Sequence, residues 1–190
     1  MKKIIALILA AACIFAFAGC QNSGDSSQND QQTASYENAT EVLTTVWDDF
    51  GSDEQFAVWG GNAEAMTDGA PGTFDLTKTD ELCASIVLTA DQVSAIDDAA
   101  TLLHGMNTNS FTAAALHTTE DAASFADTYA QSLGANHWMC GMPETYVVID
   151  AGSGYLVTAF GTADNISAFE THALGTLSGS TVIKSGAIGE

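Results

Sequence analysis

Residues 111–134 read FTAAALHTTEDAASFADTYAQSLG, and they decide the fold class. Phe111 to His117 alternates in the manner of a strand. Thr118 is a good N-cap, and Ala122, Phe125, Ala126, Tyr129 and Leu133 then fall on one helical stripe, closed by Gly134. The pattern returns 44 residues later in YLVTAFGTADNISAFETHALGTL, residues 155–177: Leu116, Thr118 and Phe125 align with Phe160, Thr162 and Phe169. Tyr146 to Ile149 reads as a strand, Gly152-Ser153-Gly154 as a turn, and Tyr155 to Phe160 as the antiparallel return. Thr181 to Ile183 supplies a last short strand. Two strand–helix units joined through a hairpin spell β-α-β-β-α-β, so the expectation for 110–185 is a ferredoxin-like, α+β core. Its four-stranded antiparallel sheet carries both helices on one face.

Upstream, Val42, Leu43, Val46, Trp47 and Phe50 have helical spacing over 39–50. Phe56 to Trp59 suits a short strand, and Leu82 to Leu88 is apolar without a clear period. Val93, Ile96, Ala99, Ala100 and Leu103 predict a helix over about 90–104. These N-terminal helices would cover the other face of the sheet, which makes 39–190 a single domain.

Working outward to the N-terminus, Lys2 and Lys3 precede 15 uninterrupted apolar residues, Ile4 to Ala18. That run is short for a bilayer span and suits the core of a secretory signal. It ends in Phe17-Ala18-Gly19-Cys20, which resembles the lipobox of bacterial lipoproteins, with Phe17 where Leu is usual. The resemblance implies cleavage after residue 19 and acylation of Cys20. Two or more acyl chains, at about 0.8 kcal/mol per buried CH₂, hold a protein stably on a membrane. The expected address is the extracytoplasmic face of the cell envelope, or the outer membrane of a Gram-negative cell, since Gln21 is not the Asp that retains lipoproteins at the inner one. Residues 21–38 are rich in Gln, Asn, Ser and Asp, and read as a flexible tether with a reach of about 20–25 Å.

The whole chain has 190 residues, 24 acidic groups against 4 Lys, no Arg, and a formal charge of −20. Without residues 1–19 only Lys78 and Lys184 remain, a side-chain charge of 2 − 24 = −22. Nucleic acid is thereby excluded as a partner, because phosphate neutralisation needs clustered cations. An apolar fraction of 46% supports a packed core.

Chemistry is sparse. Beyond Cys13 and Cys20, Cys83 and Cys140 remain, and two readings stand for them: a disulfide, or a buried thiol at Cys83 with Cys140 free. His137, three residues before Cys140, suggests a nucleophile with a base, although no catalytic signature surrounds the pair. The four histidines lack metal-ligand spacing, so no metal or cofactor is expected. Asp48-Asp49, Asp53-Glu54, Asp80-Glu81 and Asp97-Asp98 read as solvated surface. No nucleophile elbow, phosphate loop or EF-hand loop occurs.

Two stretches are unusual for connections. One is His104-Gly-Met-Asn-Thr-Asn-Ser-Phe111 and the other is Ala135-Asn-His-Trp-Met-Cys-Gly-Met-Pro143. They carry Trp, Met, Cys and His where polar residues are ordinary. Both would border the sheet, either plugging its end as core or lining a pocket with His104, Met106, Asn107, Asn109, Trp138, Met139 and Cys140. The runs His104 to Thr112 and Trp138 to Pro143 resemble H-x-M-N-x-N-x-F-T and W-M-C-G-x-P stretches of small uncharacterised lipoproteins of anaerobic bacteria. That resemblance spans roughly 80–175 and implies one α+β domain behind a signal and tether. The expected function is a non-enzymatic module at the envelope that binds a small molecule or an envelope protein. The rival is a thiol-dependent enzyme or redox protein using Cys140 with His137 or His104.

Overall fold

The computed structural model describes residues 35–189, so the lipobox with Cys20 and most of the tether lie outside the described residues. Its elements are α1 (Ala39–Trp47), β1 (Val58–Asn62), β2 (Ala65–Asp68), β3 (Gly72–Thr73), α2 (Thr79–Ile86), α3 (Ala90–Ser94) and β4 (Ile96–His104). After a 3-10 turn at Thr108–Ser110 come β5 (Phe111–Thr118), α4 (Ala122–Ala135), β6 (Thr145–Gly152), β7 (Tyr155–Gly161), α5 (Ala163–Thr176) and β8 (Thr181–Ala187). The class is α+β. Eight strands form one sheet in the order β2-β1-β4-β5-β7-β6-β8, with β3 also on β4. Every pairing among the described strands is antiparallel.

The strand–helix units at β5–α4 and β7–α5 form as their sequence predicts, and β6–β7 is the expected hairpin. The ferredoxin-like arrangement does not form. Its last strand would pair with its first, but β8 pairs with β6, and the place beside β5 belongs to β4. The sheet therefore has eight strands rather than four. This displacement also moves a helix. Both crossovers, β5 to β6 and β7 to β8, step in the same direction across the sheet, from strands that run oppositely. If both obey the usual right-handed rule, their helices must lie on opposite faces. They do. Phe125 of α4 packs with α2 and α3, while the aligned Phe169 of α5 packs with α1 on the other face. Each ring is fully buried, which contributes about 2–3 kcal/mol.

The expected helix over 90–104 is also corrected. A capping box of Thr89 and Gln92 starts a short α3 that stops at Ser94, and the chain continues as β4. β4 lies between β5 and the β1/β3 edge, so Ala99 to Leu103 is buried on both faces. A strand of that kind loses its alternation and imitates a helix. Asp97 and Asp98 consequently lie on a strand with separate partners. Asp97 pairs with His117, and Asp98 accepts from the Ala39 N–H at 2.6 Å and the Tyr155 hydroxyl at 3.3 Å. Thr118 ends β5 instead of capping α4, a role taken by Asp121, which accepts from the Ser124 N–H at 3.0 Å. Among the described residues Tyr36 already packs onto the domain, its ring meeting Tyr155 edge-on, and Asn38 caps α1. No helix among the described residues is long and apolar enough to cross a membrane.

Where β1 joins the sheet, the backbone has no room for side chains. A Cβ on Gly60 would collide with Pro71, Gly72 and the Thr101 carbonyl, and one on Gly72 would collide with Gly60. Thr101 fixes the crossing with its hydroxyl, which donates to Gly61 O at 2.9 Å and accepts from Gly61 N at 3.0 Å. That crossing delivers Trp59 opposite Leu103, at the end of the sheet where β4 turns into β5.

Candidate functional site

At that end of the sheet the two unusual stretches meet. The β4–β5 connection supplies His104 to Asn109, and the segment after α4 supplies Asn136 to Cys140. Between them lies an open groove of about 620 Å³, also lined by Trp59, Leu103, Phe160 and the C-terminal end of α2 at Ala84, Ser85 and Val87. All seven expected residues, His104, Met106, Asn107, Asn109, Trp138, Met139 and Cys140, line it. Leu103 and Phe160, each 2% exposed, belong to the core beneath.

Asn109 joins the two stretches. Its side-chain amide donates to Met139 O at 2.6 Å and to Gly141 O at 2.7 Å, using both hydrogens of one nitrogen. Asn107 supports it by accepting the Asn109 N–H at 3.1 Å. The carbonyls so held flank Cys140, whose φ of 63° is left-handed and followed by Gly141 at 105°. A non-glycine residue in that region costs on the order of 1–2 kcal/mol. The Asn109 bonds stabilise this backbone and leave the Cys140 thiol exposed.

The remaining groups divide between structural work and the open face. Trp138 is half-buried, stands edge-on to Phe160 at 5.2 Å and donates its indole N–H to Leu133 O at 3.3 Å, so it is anchored to the end of α4. His104 stacks on Phe56, and its Nδ1 accepts from the N–H groups of Met106 and Asn107 at 3.1 and 3.3 Å. With Nδ1 accepting, the neutral ring carries its proton on Nε2. His104 thus shapes the turn that projects Met106 outward. Met106 is 89% exposed and Met139 80%. A second hollow of about 610 Å³ shares Trp59, Gly105 and Met106 with the groove and adds Met66. The methionines among the described residues, Met66, Met106, Met139 and Met142, are all exposed, and none fills the core.

Among the described residues, no Asp, Glu or Lys lines the groove. In a chain of formal charge −20 this is a local exception. The C-terminal ends of α2 and α4 both border it, bringing the negative ends of two helix dipoles.

Cys83 and Cys140 are unbridged. Cys83 packs against the core on the α2 side, and burial together with nearby Asp80 pushes its thiol up from the ordinary value. His117 and His172 act structurally. His172 of α5 pairs with Asp49 at 2.7 Å and stacks on Phe50, tying α5 to the turn after α1, and His117 holds Asp97. Among the described residues, no group of three or more His, Cys, Asp or Glu is placed to hold a metal ion.

Sequence reasoning missed Trp59 and the Ala84–Val87 wall. Trp59 reaches the groove through pairing with Leu103, 44 residues further along the chain. Val87 closes α2 in a left-handed conformation, φ 60°, for which a β-branched residue gives no signal. No protein-family model matches this chain, and no curated protein or solved structure matches it either.

Proposed function

We propose that this protein is a lipid-anchored extracytoplasmic binding module, held through acyl chains on Cys20, whose ligand lies in the groove between His104–Asn109 and Asn136–Cys140. The observation that carries the reading is the meeting of two sequence-distant stretches, one carrying His104 and Met106 and the other His137, Trp138, Met139 and Cys140, around one open groove stapled by Asn109. A groove of several hundred Å³ with an apolar floor and a few polar groups at its rim is the usual form of a small-molecule site. Its lack of charged side chains favours neutral ligands with a flat or apolar face, recognised by Trp59, Trp138 and the amides of Asn107 and Asn136. The anchor rests on the Lys-flanked apolar run and the Phe17-Ala18-Gly19-Cys20 ending.

A thermal-shift scan of neutral metabolites, sugars and short apolar peptides, on wild type and Trp138→Ala, tests the groove. Ligands are expected to raise the wild-type Tm, and the rise should vanish in the variant. Equal shifts in both proteins would move the site elsewhere. The rival thiol chemistry draws on the exposed, strained Cys140, with His137 lining the same groove. It requires one fast-reacting thiol of depressed pKa, which a labelling-rate profile against pH detects.

A further inference from the structure

We propose that the rim of the groove binds one soft monovalent metal ion, Cu(I), through the sulfurs of Met106, Met139 and Cys140, with His137 as the nitrogen donor. This rests on the binding reading only in that both use the same lining. The first support is where the sulfur lies. Methionine normally fills gaps in cores, yet Met106 and Met139 stand 89% and 80% exposed on the two rims of one groove, beside an exposed cysteine. Asn109 ties the Met139 and Gly141 carbonyls to the β4–β5 connection, and within that connection His104 fixes the turn that carries Met106, so the two loops that carry the donors are held as a pair. The donors themselves are unspent: among the described residues none of the three sulfurs has a hydrogen-bond partner, whereas the Nδ1 of His104 is occupied by two N–H groups, which leaves His137 as the available imidazole lining the groove.

The second support is electrostatic. The C-terminal ends of α2 and α4 face the groove and favour a cation, and among the described residues no carboxylate lines it. Hard ions such as Ca²⁺ and Mg²⁺ need oxygen ligands and find no carboxylate there. Thioether and thiolate donors select soft ions, Cu(I) foremost. On binding, the Cys140 S–H bond breaks, its proton passes to solvent, and the sulfur's electron pair forms the S–Cu bond. No electron is transferred.

The test is an anaerobic titration of the full chain, purified from membranes, with Cu(I) in competition with a bicinchoninate chelator. Ag(I) serves as the redox-inert probe. One equivalent is expected, with release of a proton and quenching of tryptophan fluorescence. Cys140→Ser should lose the site, Met106→Leu with Met139→Leu should weaken it at least ten-fold at unchanged Tm, and Cys83→Ser should leave it intact. Failure of the wild type to hold Cu(I), binding that follows Cys83, or full affinity in the double leucine variant would each overturn the proposal. A wild type that binds no Cu(I) but still gives Trp138-dependent shifts with organic ligands defeats the metal site alone and leaves the groove reading standing.

Discussion

Asn109→Ala isolates the contact that makes one groove out of two loops. The substitution removes two hydrogen bonds, to Met139 O and Gly141 O, and leaves the Asn109 backbone bond to Asn107 in place. Each bond is worth about 0.5–1.5 kcal/mol net. The rim is exposed, so both carbonyls recover water, and the total should be about 1–2 kcal/mol rather than the larger penalty of buried orphans. Where rim closure is coupled to global unfolding, Tm should fall by about 2–8 °C, at roughly 2–4 °C per kcal/mol for a domain of this size. Where the rim opens by itself, Tm holds and amide exchange across 138–141 should quicken by roughly 5–30-fold. Thermal unfolding and peptide-level hydrogen exchange together cover both cases. Unchanged Tm with unchanged exchange would refute the staple, and with it the argument that Cys140 is held in its left-handed backbone by Asn109.

Three other outcomes follow from the same structure. At pH 8 an alkylating reagent should label exposed Cys140 well before Cys83, whose thiol is raised by burial and Asp80 and should react fully only after denaturation; equal rates would contradict that placement. Asp121 caps α4, and hydrogen bonding from Ser124 holds its carboxyl below the usual range. A depressed folded pKa contributes stability above the unfolded value, near about 4, that is lost as pH falls through the folded one. The Tm gap between wild type and Asp121→Ala should therefore narrow in acid, and a gap that widens would refute the cap. Because a formal charge of −20 is opposed by few cations, Tm should rise between about 10 and 150 mM salt, where the Debye length shrinks from about 30 to 8 Å; a falling Tm would refute self-repulsion as the dominant effect.

The strand–helix repeat was legible because β5 and β7 each run into a helix with a clean apolar stripe, and Phe125 and Phe169 mark equivalent buried positions. Their faces were not legible. Which edge β8 joins is decided by pairing with β6, and nothing within Thr181–Ala187 encodes that partner. β4 was misread because burial on both sides erases the alternation that separates strand from helix. The groove was partly legible for the opposite reason: Trp138, Met139 and Cys140 are apolar where a connection is ordinarily polar, and that mismatch survives in sequence. Trp59 and Val87 were hidden, since one arrives by a long-range strand pairing and the other by an unsignalled left-handed turn.

The central claim is that this groove is where the protein binds. Hydrogen exchange of the full chain, with and without the compound that raises wild-type Tm most, tests it directly. Protection concentrated at 104–109 and 136–140 is the predicted result. Protection confined to the separate hollow around Thr145, Glu170 and Ser185, or spread evenly over the sheet, would contradict it.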